Sequence, residues 1–170
     1  MAMQDKITIQ IPAKINLFLH ILEKRKDKYH NIETGITFIN LFDEISIKKS
    51  DKTSIHYLGK FKPKSGSYSD CIIKKTLNFL ELNKKVFLQI KITKNIPVQA
   101  GMGSASNNAA GLIKGLEKLK ILNNIEKKQY HFLSADIPAY LYGKNSIVRG
   151  IGDKIISYKF PKYYFLLVKN

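Results

Sequence analysis

The stretch Lys94-Asn-Ile-Pro-Val-Gln-Ala-Gly-Met-Gly-Ser-Ala-Ser-Asn-Asn-Ala-Ala-Gly111 decides how the chain folds. Before it, Val86, Leu88, Ile90 and Ile92 alternate with polar residues, the pattern of a strand with one buried face. After it, Ala109, Leu112, Ile113, Leu116 and Leu119 recur at helical spacing, predicting a helix to about Leu122. Gly101 and Gly103 permit positive φ or close backbone approach, and Ser104 and Ser106 are good helix N-caps. A loop of small residues that enters a helix N-terminus offers free N–H groups and the positive end of a dipole, which suits an anion such as phosphate. The same glycines would also serve a strand–helix turn that binds nothing. The dinucleotide fingerprint is excluded, because Ser106 stands where it needs a third glycine. Neither Gly59-Lys60 nor Gly143-Lys144 meets the P-loop spacing.

Toward the N-terminus, Lys6 to Gln10 alternates and puts Ile7, Ile9 and Ile11 on one face. Pro12 breaks that ladder. Alternation resumes from Ala13, with Ile15, Leu17, Leu19 and Ile21 on one face and Lys14, Asn16, Phe18 and His20 on the other. Lys14 and Asn16 therefore point the same way. A lysine there either snorkels to solvent or faces a reacting phosphate. Residues 22–31 form a charged loop ending in Tyr29-His30, which is either surface decoration or a pair that stacks on and hydrogen-bonds a nucleobase. Strands are expected at Gly35 to Leu41, Glu44 to Lys48 and Ser54 to Leu58. A helix follows from Asp70, its candidate N-cap, to Leu82, carrying Ile73, Leu77 and Leu80 inward and burying Cys71.

Toward the C-terminus, a short helical stretch is expected near 126–134 and another helix from about Pro138. Asp136, in Ser134-Ala-Asp-Ile-Pro138, reads as that helix's N-cap or as a general base for a hydroxyl. Ile155 to Tyr158 and the apolar run Tyr163 to Val168 read as strands, the last one buried. Only Lys169 and Asn170 follow that run, the mark of one part of something longer. Strands come first and helices then pack on them, so the fold class is α+β, a mixed sheet with helices on one side.

The 170 residues suit one domain, and 44% hydrophobic content supports a core. Ten Gly, five Pro and one Cys exclude collagen-like and disulfide-framework classes. No apolar run approaches a membrane span, and the polar start is unlike a signal peptide, so a cytoplasmic protein is expected. The net charge of +16 resembles a nucleic-acid footprint. Only Arg25 and Arg149 supply arginine forks, however, and the lysines are scattered along the chain. An anionic substrate steered by the field fits that distribution better. His20, His56 and His131 have no metal-ligand spacing, so no dedicated metal site is expected.

Five motifs in order resemble the GHMP small-molecule kinases: Pro12-Ala-Lys-Ile-Asn-Leu-Phe-Leu19, Tyr29-His-Asn-Ile-Glu-Thr34, Ile96 to Ala110, Ala135-Asp-Ile-Pro138 and Gly150-Ile-Gly152. The resemblance spans about residues 7 to 168. It implies the family's N-terminal, ATP-binding domain over 1–170, with the ribosomal protein S5 domain 2-like arrangement. Pro-Ala-Lys-Ile-Asn together with Tyr-His resembles the members that act on a cytidine-diphosphate-linked methylerythritol in the non-mevalonate isoprenoid route. The implied reaction moves the ATP γ-phosphate to that substrate's 2-hydroxyl, with Mg²⁺ accompanying ATP. Asp136 would take or orient the hydroxyl proton, and Lys14 would stabilise phosphoryl charge and keep Asp136 ionised. The loop Pro97, Val98, Gln99, Ala100, Gly101, Met102, Gly103, Ser104, Ala105, Ser106 and Asn107 would hold the ATP phosphates. Tyr29 and His30 would recognise cytosine, and Asn16 would touch substrate.

The chain departs from that pattern at Ser104 and Ala105, where Gly-Gly is common, at Asn107, where Ser is common, and at Ser134, where Gly is customary. Side chains at 104 and 105 are expected to crowd the phosphates. Family members also carry a C-terminal domain that closes the cleft, and it is missing here. The implied outcomes are a kinase weakened by truncation, an inactive remnant, or a cleft completed by a separate C-terminal chain. A basic nucleic-acid-binding module is the alternative from another class.

Overall fold

The computed structural model describes residues 5–63, 71–82, 85–122 and 127–168, and only the backbone of 127–129. The elements in chain order are β1 (Lys6–Lys24), β2 (His30–Lys49), β3 (Ser54–Leu58), α1 (Ile72–Phe79), β4 (Leu88–Thr93), α2 (Ser104–Lys118), a 3₁₀ turn (Lys127–Phe132), α3 (Ile137–Tyr142), β5 (Ser146–Gly150) and β6 (Lys154–Ser157). They form the expected α+β fold around one mixed six-stranded sheet.

β2 is the central strand. β1 runs antiparallel along one of its edges, from Lys6 opposite Lys48 to Lys24 opposite His30. The other edge is shared, with β4 pairing to Glu44–Lys49 and β5 to Ile32–Ile36. β3 adds parallel to β4, and β6 antiparallel to β5. The expected break at Pro12 is a bulge inside a continuous strand, and the two strands expected at 35–48 are one. The bulge decides which side chains meet the helices, because an irregular step exchanges the two faces of a ribbon. Before it, Ile7, Ile9 and Ile11 face the helices; after it, Lys14 and Asn16 do. The single apolar face expected from Ile15 to Ile21 is not continuous: a second irregular step between Asn16 and Phe18 brings Leu19 to the cleft side with Lys14 and Asn16, and Leu19 and Ile21 are exposed.

The helices cover Ile9, Ile11, Ile45, Ile47, Ile90 and Ile92 to make a single main core. The α2 stripe Ala109, Leu112, Ile113 and Leu116 is fully buried on it. α2 lies close to the sheet because residue 111 is glycine; a Cβ there would run into Ile11 and reach within 2.8 Å of Ile45. In α1, Ile73 and Leu77 are buried as the spacing predicts. Its N-cap is Cys71, whose Sγ accepts from the Lys74 N–H, so Cys71 stands at the helix entrance instead of inside it. The candidate cap Asp70 lies outside the described residues.

One strand was not expected, and two further expectations are corrected. β5 was not legible, being five residues between the left-handed Gly143 and Gly150 with Arg149 on its open face. Ser104 and Ser106 do not cap α2; its N-cap is the left-handed Gly103, with no side-chain cap bond. Tyr163–Val168 is neither a strand nor buried, with Tyr164 88% and Leu166 90% exposed. It shares a hollow with Thr37 to Leu41 of β2 without pairing to that strand. Both arginines are engaged in ion pairs, Arg25 with Asp27 and Arg149 with Glu33. No helix of the described residues is long and apolar enough to cross a membrane.

Candidate active site

A cleft of about 820 Å³ opens where the bulged part of β1, the N-terminus of α2 and the entrance to α3 meet. Its floor carries Lys14. The Lys14 Nζ donates to Asn16 Oδ1 at 2.6 Å and to Asp136 Oδ1 at 3.2 Å, and stands 3.2 Å from Asp136 Oδ2. Lys14 is 6% exposed, so this is a desolvated cation with two oriented partners rather than one that snorkels. Asn16 Nδ2 donates to Thr34 Oγ1, whose hydroxyl donates to the Phe18 carbonyl. That chain of bonds sets which way the Asn16 amide points.

Asp136 occupies the N-cap position of α3, yet its side chain makes no cap bond. Its φ and ψ of −82° and −21° are already helical, and the carboxylate is left for Lys14. Position in sequence thus suggested a cap, and geometry turns the side chain into the cleft. The neighbouring Ser134 Oγ lies 2.7 Å from Ser106 Oγ, tying the α3 entrance to the first turn of α2.

The loop before α2 curls through three left-handed residues, Gln99, Gly101 and Gly103. Such turns bring backbone N–H groups to one side and form anion-binding hollows. At Gly103 a Cβ would collide with the Tyr140 hydroxyl and ring edge, and that Oη donates to the Met102 carbonyl at 2.9 Å. Burial, reinforced by the Asp136 charge, holds the Tyr140 phenol protonated well above its ordinary range. The first bond of the helix runs from the Asn107 N–H to the Gly103 carbonyl. The N–H groups of Ser104, Ala105 and Ser106 precede it and have no helical acceptor.

Of the loop residues, Val98 through Ser106 line the cleft. Pro97 and Asn107 do not. Asn107 is fully buried, and its Nδ2 donates to the Ile11 carbonyl, since at helical spacing it falls on the sheet-facing side. Ser104 does not crowd the hollow either, because its hydroxyl turns inward to Lys94. Tyr29 and His30 are not brought to the cleft. His30 pairs with Lys24, ten residues along β1 from Lys14, about 33 Å of strand.

Three residues of this region escaped the sequence reading. Asn108 is 3% exposed and lines the cleft. Asp43 and Lys94 form a buried ion pair beneath the loop. Burial lowers the Lys94 ammonium below its usual range, and the Asp43 charge opposes that shift. A signal for the pair existed: Asp43 continues the inward positions Ile45 and Ile47, and Lys94 continues Ile90 and Ile92. A charge on an inward position of each of two paired strands implies a partner.

The defining sequence pattern of the GHMP kinases N terminal domain matches residues 71–159. The chain belongs to the GHMP kinase family. It is 36% identical over 162 residues to the 4-diphosphocytidyl-2-C-methyl-D-erythritol kinase of Francisella philomiragia, covering 92% of this chain and 58% of that protein. It is 35% identical to the enzyme of the same name from Ruthia magnifica, covering 92% of this chain and 56% of that one. The chain thus spans a little over half the length of these relatives. Its fold matches a crystal structure of 4-(cytidine 5'-diphospho)-2C-methyl-D-erythritol kinase with a TM-score of 0.71 at 23% identity, over 91% of this chain and 56% of that one. Homoserine kinase from Cytophaga hutchinsonii matches with a TM-score of 0.61 at 18% identity, over 95% and 54%.

Proposed function

We propose that this chain carries the ATP-binding and phosphoryl-transfer half of a 4-diphosphocytidyl-2-C-methyl-D-erythritol kinase, phosphorylating the substrate's 2-hydroxyl. The observation that carries this reading is the Lys14–Asp136 pair, set in a cleft that opens onto the free amides of α2. Phosphoryl transfer needs positioning and charge stabilisation more than covalent chemistry from the protein, and these groups are suited to both tasks. The amides of Ser104, Ala105 and Ser106, with the hollow formed by Gln99 to Gly103, fit the phosphates of a nucleotide. Tyr57, Pro63, Cys71 and Ile72 line the same cleft and suit a flat apolar base.

Asp136 accepts or orients the proton of the attacking hydroxyl. Lys14 offsets charge developing on the phosphoryl oxygens and favours the ionised form of Asp136. Asn16 anchors the ammonium and keeps a second Nδ2 hydrogen for substrate. Among the described residues no group of three or more His, Cys, Asp or Glu is placed to hold a metal. Mg²⁺ would therefore arrive on the phosphates, as is usual for this ion. Tyr29 and His30, at the far end of the β1–β2 ribbon, serve the cytosine end of the substrate in this reading. A C-terminal domain, in the same polypeptide or on a complementing chain, covers the exposed run Tyr163–Val168 and closes the cleft.

The test is phosphoryl transfer by the 170-residue chain from ATP–Mg²⁺ to the cytidine-diphospho-methylerythritol, beside an Asp136→Asn control. Turnover lost in the control supports the reading. A folded chain that neither binds ATP nor turns over overturns it. ATP binding without turnover, with turnover appearing when a C-terminal domain from a relative is added, assigns closure of the cleft to that domain.

A further inference from the structure

The buried pair beneath the loop has a geometry that ordinary core packing does not require. Asp43 is fully buried, Lys94 is 2% exposed and Ser104 8% exposed. One Asp43 oxygen accepts the N–H groups of Asn95 at 2.8 Å and Ile96 at 2.9 Å, and the other takes the Lys94 ammonium. The remaining Lys94 donors go to the carbonyl of Ser104 at 3.0 Å and its hydroxyl at 2.5 Å. Every ammonium proton and both carboxylate oxygens are used. A buried ion pair is by itself weak evidence for stability, and this one is joined to backbone groups at both ends of the loop. Its placement is specific: Lys94, Asn95 and Ile96 begin the loop, and Ser104 begins α2 at the loop's end. One carboxylate on the central strand thus holds both ends of the connection at 97–103. This happens just past the last β2–β4 pair, Glu44 opposite Thr93, where the Lys94 backbone is still held by Leu58 and Phe61 but the N–H groups of Asn95 and Ile96 go to the Asp43 carboxylate instead of to a strand.

We infer that Asp43 is a positioning residue for nucleotide binding, which acts through Lys94 and Ser104 to hold the loop closed so that the amides of Ser104 to Ser106 converge on phosphate. The inference rests on the reading of that loop as a nucleotide-phosphate site. It predicts that loop geometry and nucleotide affinity change in variants that remain folded.

The experiment compares the 170-residue chain with Asp43→Asn, with the apolar pair Asp43→Leu plus Lys94→Met, and with Ser104→Ala. ATP–Mg²⁺ affinity is read by calorimetric titration, melting temperature by circular dichroism, and amide exchange across 97–106 by mass spectrometry. Expected is a loss of affinity of about tenfold or more for Asp43→Asn, since small displacements of positioning groups carry penalties of that size or larger. The apolar pair is expected to melt below the parent, because the Asn95 and Ile96 N–H groups lose their acceptor, but to stay folded, to keep the weak affinity and to show faster loop exchange. Ser104→Ala, which preserves the ion pair, is expected to stay folded and to show a smaller loss in the same direction. Apolar-pair affinity within twofold of the parent, or unchanged loop exchange in every folded variant, overturns the inference. If the parent itself binds no ATP, the nucleotide reading fails and the brace is judged by exchange alone. Faster exchange at 97–106 then supports it and unchanged exchange refutes it.

Discussion

Lys14 and Asp136, 122 residues apart in the chain, meet with the ammonium 3.2 Å from each carboxylate oxygen. The contact exists because the bulge after Pro12 turns Lys14 toward the helices and because Asp136 leaves its own helix uncapped. Lys14→Ala and Asp136→Asn should each lower phosphoryl transfer by about 10²–10⁴-fold, the usual contribution of a positioned acid–base group. Affinity for ATP–Mg²⁺, measured by titration, should change only a few-fold, because in the proposed reading the phosphates rest on the loop amides and not on the pair.

Gly101 and Gly103 share a φ of +68°, yet their surroundings differ. A Cβ at Gly101 meets nothing within 4 Å, whereas one at Gly103 strikes the Tyr140 ring. Gly101→Ala should cost only the left-handed penalty, about 1–2 kcal/mol. Gly103→Ala should cost that and a further ~1–3 kcal/mol of overpacking. Urea unfolding of the two variants side by side measures the difference, and Tyr140→Phe should recover part of it, because it removes the hydroxyl nearest that Cβ and leaves ring carbon at 2.9 Å.

Burial, with the Glu117 charge adding to it, pushes the Tyr130 phenol up to about 12. Between pH 10 and 12 the unfolded chain loses this proton and the folded chain keeps it, so stability falls as pH rises through that window. Tyr130→Phe should flatten that fall. It should also cost little at neutral pH, because the Tyr130 hydroxyl has no hydrogen-bond partner among the described residues. Melting temperature against pH for the two proteins checks both statements.

Leu166 and Tyr164 separate the buried-strand reading from the observed one. With 90% and 88% exposure, Leu166→Lys and Tyr164→Lys should shift unfolding free energy by no more than about 0.5 kcal/mol. A buried strand would lose about 2–5 kcal/mol from either change. Both variants should also be more soluble, since they interrupt an exposed apolar run.

Much of the fold was legible because alternation and helical spacing report burial directly. The α2 stripe, the inward isoleucines of β1 and the shared direction of Lys14 and Asn16 all follow from those periods. Parity along β1 was not legible, since a bulge is invisible to a period-two count: a second irregular step between Asn16 and Phe18 puts Leu19 on the side of Lys14, where simple alternation placed it opposite. Tyr163–Val168 shows a limit of the same kind: an apolar run states a preference for burial, while burial also requires a neighbour. At the site, residue types and order pointed to Lys14, Asp136 and the loop. Asp43 and Lys94 were missed because each was read on its own strand. Their meaning lies in the pairing of the two strands, which only the register between β2 and β4 reveals.

The closeness of α2 to the sheet over Gly111 has a consequence for how this chain tolerates change. The missing side chain acts as a gauge block: it sets the clearance between the two layers at the point where Ile11 touches the helix, three residues before Lys14. A methyl group added there would lift the helix as a wedge lifts a plank, carrying the loop's amides away from the lysine beneath. The span that Lys14 must reach is thus set at a position that touches no ligand. Drift in this sequence should leave Gly111 alone even where the cleft-lining side chains themselves are free to vary.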